Sequence, residues 1–354
     1  MAGGVGSRFW PMSQTAHPKQ FIDILGVGET FIQQTFRRLS KVCPPENIYI
    51  VTNEIYRDTV KEQLPQVKDY QILGEPAMRN TAPCIAYAVY KIKQQNENAN
   101  IVVAPSDHII LKEDEFVKVL SESLDVVSKN NWLVTLGIKP SRPDTGYGYI
   151  QFSQADSYPE NKSLKKVKTF TEKPALEMAK SFLESGDFLW NAGIFIWNVN
   201  TVIEAFDKYL PEVNNLFAKG LGLYNTDKEP LFIKDTYSMC PNISIDYGIM
   251  EKADNVYVYI SDFGWSDLGT WGSLFENKEK DENNNAISGK NVMTYNTKNC
   301  IINVPNKKLV VVEGLEGFIV AMKGNSLLIC KMEDEQYIRN IVNDIKIEKG
   351  EEYV

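Results

Sequence analysis

"TAPCIAYAVYKIKQQNENANIVVAPSDH", residues 81–108, decides the fold. Ala82, Ile85, Ala86 and Val89 recur at helical spacing, which predicts a helix over 81–94 with Thr81 as its N-cap. A polar break follows, then the apolar run 100–104 reads as a buried strand. Asp107 stands just past the carboxyl end of that strand, at the rim where open α/β sheets bind ligands.

Outward from this unit, short β-rich runs at 48–52, 70–73 and 133–136 alternate with helical patterns at 30–39, 56–64 and 115–127. Alternation of this kind predicts an α/β domain with a largely parallel sheet. Beyond Gly146 the pattern loosens into strands at 148–152 and 164–171 and a helix at 175–183. The run "NKEKDENNN", residues 277–285, has no apolar residue and predicts a linker between a domain over 1–276 and a second over 286–354. That second domain carries short apolar segments at 291–294, 300–304, 309–312, 318–321 and 326–330, separated by Asn, Lys and Gly. A small all-β domain of stacked coils or a sandwich fits them, closed by a helix near 333–343.

Composition narrows the function classes. The 354 residues carry 38 basic and 46 acidic side chains, a net charge of −8, with no basic block, so nucleic acid is not an expected partner. No apolar run reaches the length of a membrane helix and no signal peptide is present, which predicts a cytoplasmic protein without a membrane partner. Five cysteines, at 43, 84, 240, 300 and 330, lack a C-x-x-C pair and read as reduced core residues. Two histidines, His17 and His108, rule out a multi-histidine metal centre.

The chain opens "MAGGVGSRFWPMSQTAHPKQF", residues 1–21. It lacks both the dinucleotide fingerprint and the Walker lysine, yet it offers backbone N–H groups flanked by Arg8 and Lys19. Taken alone, it fits an anion cradle or a surface turn equally well. Asp107 has a possible partner in Asp267, within "FGWSDLGTW", and two carboxylates at one rim suit Mg²⁺. Each aspartate alone also fits a turn or cap. In "TFTEKP", Glu172 and Lys173 are adjacent on a strand and so point to opposite faces; their convergence on a ligand needs a local irregularity. Asn191, in the apolar "LWNAGIFIWN", needs a polar partner, either backbone or a sugar hydroxyl.

Together these stretches resemble the sugar-phosphate nucleotidyltransferases, in particular the mannose-1-phosphate guanylyltransferase family. The resemblance rests on the order of "GGVGSRFWP…PKQF", "GEPAMRNTAP", "PSDH", "DTGYGYI", "FTEKP", "WNAGIF", "SIDYGIME" and "GWSDLGTW" over nearly the whole chain. It implies a Rossmann-like nucleotidyltransferase sheet with a small β-helix-like C-terminal domain, and a reaction of GTP with mannose 1-phosphate that needs Mg²⁺. It implies that Gly3, Gly4, Gly6, Ser7 and Arg8 wrap the triphosphate and that Lys19 holds the reacting phosphates. Glu75, Arg79, Asn80 and Thr81 would read guanine and ribose. Asp107 and Asp267 would hold Mg²⁺, and Gly146, Glu172, Lys173 and Asn191 the mannose 1-phosphate. Asp246, in "SIDYGIME", carries no assigned role.

A general base is unnecessary, because the attacking phosphate is ionised at pH 7, so neither histidine is assigned to catalysis. The resemblance also implies a homodimer. With so few histidines, a second, isomerase activity found in long relatives is not expected. Family members carry apolar residues directly before the glycine loop, so the native chain is expected to begin several residues before Met1. Two other readings stay open: a pyrophosphorylase for another hexose 1-phosphate or nucleotide, and a non-catalytic regulatory subunit that binds nucleotide sugar.

Overall fold

The computed structural model describes the backbone of residues 1–354 and every side chain except those of Asp156 and Ser157. In chain order the elements are α1 (Phe31–Leu39), β1 (Ile50–Asn53), α2 (Arg57–Gln63), β2 (Ile72–Glu75), α3 (Thr81–Gln95), β3 (Asn100–Val103), the two-residue β4 (Ile109–Ile110), α4 (Glu113–Lys129) and β5 (Leu133–Ile138). Next come β6 (Gly148–Tyr158), β7 (Asn161–Glu172), α5 (Leu176–Ser185), β8 (Phe188–Asn198), α6 (Val199–Tyr209), α7 (Pro211–Ala218) and α8 (Glu229–Met239). The chain then runs through β9 (Val256–Ser261), β10 (Trp265–Ser266), α9 (Trp271–Asn277), β11 (Ala286–Ser288), β12 (Val292–Tyr295) and β13 (Ile301–Asn303). It finishes with β14 (Val310–Glu313), β15 (Phe318–Lys323), β16 (Ser326–Lys331) and α10 (Ile338–Glu348). No helix among the described residues is long and apolar enough to cross a membrane.

The chain folds as two compact units that do not follow a single cut at 277–285. The first holds Met1–Gly3, Thr35–Ser106 and Ile110–Trp265; the second holds Gly4–Gln34, Asp107–Ile109 and Ser266–Val354.

In the first unit a six-stranded sheet has the order β3-β8-β5-β9-β7-β6. Side chains alternate across it with period two, as a pleated strand requires. Phe195 and Trp197 of β8 join the core under α3, α6 and α7, while Ile194 and Ile196 join the opposite core under α4. The expected largely parallel sheet is corrected here: of the neighbouring strand pairs only β5–β9 is parallel, because β8 and β7 run against the other four strands. For β6 and β7 the cause is loop length, since a two-residue turn between them allows only antiparallel pairing. A separate parallel pair, β1 and β2, lies beside the chain's first residues. The Met1 ammonium donates to the Ala104 carbonyl at 2.8 Å, and Ala2 N–H donates to Val51 O at 2.7 Å. Met1 and Ala2 thus occupy a strand position between β1 and the end of β3.

At the start of α3 the N-cap is Asn80 rather than Thr81: the Asn80 Oδ1 accepts from Thr81 N–H at 2.9 Å with φ at +68°. The side-chain oxygen of Asn80 satisfies a backbone N–H left free at the start of the helix, which sets the cap one residue earlier. Helices α6–α8 fall outside the elements that periodicity identified. In α8, "EPLFIKDTYSM", apolar residues are not confined to one stripe, so the 3.6-residue signal is blurred.

The second unit is built on parallel coils. Ala286 lies opposite Ile301 and Ile301 opposite Ile319, while β12 pairs parallel with β14; β16 closes the stack antiparallel to β15. The run 277–285 is structured rather than a free linker. Asn285 is fully buried, donating to Thr297 O and accepting from Cys300 N–H, and Asp281 accepts from the Asn283 and Asn285 amides. Asn284, Asn296 and Asn299 turn corners with φ between 46° and 59°, a backbone region Asn visits more readily than most residues. The polarity that resembled a linker is therefore the turn chemistry of the coils. The closing helix is later than expected, at 338–348, after 3₁₀ turns whose Glu335 carboxylate accepts from Gly272 N–H at 2.6 Å.

Candidate functional site

The second unit gathers the cations and the paired aspartates. At Gly6 the loop bends through φ +73°, and a Cβ there would lie 2.9 Å from the Lys19 Cβ, so glycine lets the loop close onto the lysine. Lys19 is 3% exposed, and its Nζ donates to Asp107 Oδ2 at 3.1 Å and to the Asp267 carbonyl at 2.5 Å. The rings of Phe9 and Phe31 lie 5.8 and 5.4 Å from the same ammonium. Burial works to raise the Asp107 carboxyl pKa, but the Lys19 ammonium and His108 outweigh it and hold it below the usual range. The Asp267 carboxylate accepts from Gly269 N–H at 2.8 Å. A Cβ at Gly269 would meet Asp267 Oδ2 at 2.4 Å and Arg8 Nη2 at 3.2 Å, so the guanidinium tip lies beside this turn. Arg8, Lys19, Asp107 and Asp267 are thus brought together from positions up to 259 residues apart.

Among the described residues no group of three or more His, Cys, Asp or Glu could hold a metal. Two carboxylates are a donor set Mg²⁺ uses when substrate phosphates and water complete its shell.

The first unit carries two polar groups. In one, Glu172 and Lys173 end β7, and the required irregularity is present: Lys173 has φ +48°, and its Nζ reaches back to Glu172 Oε1 at 2.6 Å. Lys173 N–H donates to Tyr147 O, tying this corner to the loop of Gly146, whose N–H donates to Asp144 Oδ1 at 2.8 Å. Asp144 pairs with Arg142, which lies over the Trp190 ring at 5.3 Å. Gly148 was not singled out in the sequence, yet it faces Glu172 in register, and a Cβ there would lie 2.4 Å from Glu172 Oε2. Asn191 stands where β5 and β8 slip in register between Thr135 and Gly137.

The other group surrounds Glu75. Tyr237 OH donates to Glu75 Oε1 at 2.9 Å, and the Tyr237 carbonyl accepts from Arg79 Nε at 3.2 Å. A Cβ on Gly3 would lie 3.3 Å from Glu75 Oε2, placing the loop's first glycine against this carboxyl. Sequence reasoning missed Tyr237, a helical residue far along the chain with no motif of its own. Asn80 and Thr81 follow as the cap and first residue of α3. Ser7 begins a 3₁₀ turn, and Gly4 is exposed.

Burial drives the Glu75 carboxyl up to about 7, against the Tyr237 hydrogen bond. A carboxyl raised in the folded state holds its proton longer than in the unfolded chain, so its contribution to stability falls as pH rises from about 4.5 to about 7. Glu75→Gln keeps the acceptor for Tyr237 and removes the charge. It is expected to be more stable than wild type at pH 8, by up to about 3 kcal/mol, and equal to it near pH 4. Urea unfolding at the two pH values reads this; equal stability at pH 8 would show that Glu75 ionises without penalty.

The chain is a nucleotidyl transferase: the family model for nucleotidyl transferases matches residues 1–284, the stretch that holds the glycine loop, Lys19, Asp107 and Asp267. A second model, described as a MannoseP isomerase/GMP-like beta-helix domain, matches residues 290–345. More particularly, the chain belongs to the mannose-1-phosphate guanylyltransferase family. It is 36% identical to the mannose-1-phosphate guanylyltransferase of Salmonella montevideo and 33% identical to that of Escherichia coli. Each alignment covers 100% of this chain, and 74% and 76% of those relatives respectively. A solved structure described as mannose-1-phosphate geranyltransferase from Thermus thermophilus superposes with a TM-score of 0.86 at 27% identity, covering 98% of both chains.

Proposed function

We propose that the protein transfers GMP from GTP to mannose 1-phosphate, releasing pyrophosphate and forming GDP-mannose, with Mg²⁺ as its cation. The observation that carries this reading is Lys19, a buried ammonium held between Asp107 and the Asp267 carbonyl with Arg8 near the same turn. A phosphate oxygen of the sugar forms a bond to the α-phosphorus. The bond from that phosphorus to the bridging oxygen breaks, and its electron pair leaves on pyrophosphate. Two unit charges about 4 Å apart repel by roughly 4 kcal/mol at an effective dielectric near 20, so neutralisation has to precede attack. Lys19 spends two of its three N–H groups on the protein, which leaves one for a phosphate oxygen. Asp107 and Asp267 would hold Mg²⁺, which supplies charge neutralisation at the phosphate oxygens. Positioning then provides much of the remaining acceleration.

Glu75 and Arg79 offer groups for a base and ribose, and Glu172, Lys173 and Asn191 for a sugar phosphate. The names of the relatives supply the choice of GTP and mannose. Pyrophosphate release, measured with Mg²⁺ over a grid of nucleoside triphosphates and hexose 1-phosphates, is expected to be fastest for GTP with mannose 1-phosphate. A grid led by ATP or UTP with glucose 1-phosphate would replace the guanylyl assignment. Binding of nucleotide sugar without turnover of any pair would favour a regulatory subunit.

The same reading includes a homodimer. Met293 of β12 opposes Val311 of β14 and both are exposed, as are Tyr295 and, just before β14, Leu309, an apolar strip suited to a second copy. Light scattering behind size exclusion is expected to give twice the 40.2 kDa chain mass, and a single-chain mass removes the proposal.

A further inference from the structure

Asp246 is the one family signature residue left without a role, and its surroundings supply one. Residues Asp246–Met250 form a single π-helical turn, a feature common at functional sites. The chain leading into it is pinned to residues 79–82. Ile243 N–H donates to Arg79 O, Ala82 N–H to Ile243 O, and Ile245 N–H to the Thr81 hydroxyl at 2.9 Å. The position of Asp246 is therefore set by backbone bonds that do not involve its side chain.

The Asp246 carboxylate accepts from Asn191 Nδ2 at 3.0 Å, while Asn191 Oδ1 accepts from Gly193 N–H at 3.2 Å and from the Thr135 hydroxyl at 3.0 Å. A backbone N–H can only donate and a carboxylate can only accept, so the amide is held in one of its two orientations. One Nδ2 hydrogen meets Asp246, which leaves the other for a ligand oxygen. The carboxylate of Glu172 lies in the same neighbourhood: a Cβ on Gly148 would lie 2.4 Å from Glu172 Oε2 and 3.4 Å from the Asn191 Cβ. Burial, then the Glu172 charge, raises the Asp246 carboxyl to about 6, so it is ionised and accepting at neutral pH.

We infer that Asp246 is a positioning residue of the hexose 1-phosphate site, fixing the Asn191 amide so that its second N–H meets a sugar oxygen. This rests on the proposed function in one respect only, that the ligand of Asn191 is a sugar phosphate. Asp246 touches no reacting atom. Its loss weakens binding of the sugar through Asn191 and leaves the nucleotide and the chemical step alone.

The test is steady-state kinetics on the wild type, Asp246→Ala, Asp246→Asn, Asn191→Ala and the Asp246→Ala/Asn191→Ala double variant. Each uses the hexose 1-phosphate that the wild type turns over fastest. Asp246→Ala is expected to raise KM for the sugar phosphate tenfold or more, with kcat and the GTP KM within about threefold of wild type. Asp246→Asn retains an acceptor oxygen and should restore KM to within about threefold of wild type. In the Asn191→Ala background, Asp246→Ala should add nothing, the sign of two residues acting as one. An unchanged KM, a loss confined to kcat, additive effects, or no rescue by Asn each overturns the assignment. Asp246→Ser, smaller and still polar, replaces the alanine variant if the latter does not fold. A wild type that prefers another hexose 1-phosphate sinks the mannose reading yet leaves these ratios readable; a wild type that accepts none overturns both.

Discussion

Replacing Lys19 by methionine is expected to lower kcat by about 10²–10³, the range for losing one preorganised charge stabiliser. The ammonium is buried, paired with Asp107 at 3.1 Å and bonded to the Asp267 carbonyl, so it is fixed before any substrate arrives. In the proposed reaction, a charge that needs no reorganisation would act at full strength on the α-phosphate as negative charge accumulates there. Methionine keeps the chain length against Phe9 and Phe31 and removes only the charge and its hydrogen bonds. Initial rates with saturating GTP and mannose 1-phosphate read the effect, with thermal unfolding run alongside to confirm the fold. A variant within tenfold of wild type would remove Lys19 from the neutralising role.

The largest stability effect is expected far from the chemistry, at Glu229. Lys91 Nζ donates to its two carboxylate oxygens at 2.7 and 2.6 Å, Tyr87 OH donates at 2.6 Å and Asn225 N–H at 2.5 Å. Both charged side chains are less than one-tenth exposed. Glu229→Ala strands an ammonium, a phenol and an amide in a low-dielectric core, and is expected to cost about 3–5 kcal/mol. The double replacement Lys91→Met/Glu229→Leu removes both charges and should recover the part of that loss due to the stranded ammonium, while Tyr87 OH and Asn225 N–H stay without their acceptor. Urea unfolding of the single and double variants separates the cases. A single variant within about 1 kcal/mol of wild type would mean that water reaches the pair.

Much of the first unit was legible because its signals are local. The helix and strand of residues 81–104 declare themselves through spacing and apolar run length, and β3 ends where Asp107 had to follow. The displaced start of α3 has a local cause, the Asn80 side chain capping it, while the run 277–285 falls where the first family-model match ends, at 284, before the second begins at 290, and is ordered by turn hydrogen bonds. Helix α8 was not legible, because its apolar residues are spread around the helix, whereas α6 carries a stripe, Val199, Val202 and Phe206 at helical spacing, that the sequence reading passed over.

The sequence by itself determined which residue types are available and in what order, including the glycine loop, the two aspartates, the Glu172–Lys173 pair and the alternation that builds the sheet. Only the tertiary structure decided which of them meet. Lys19 reaches Asp107 across 88 residues, Tyr237 joins Glu75 across 162, and Asp246 holds Asn191 across 55. Such pairings are set by strand order and by positions like the bend at Lys173, whose positive φ turns two oppositely directed neighbours into an ion pair. Periodicity reports one element at a time, whereas hydrogen-bond partners and desolvation belong to the packed chain.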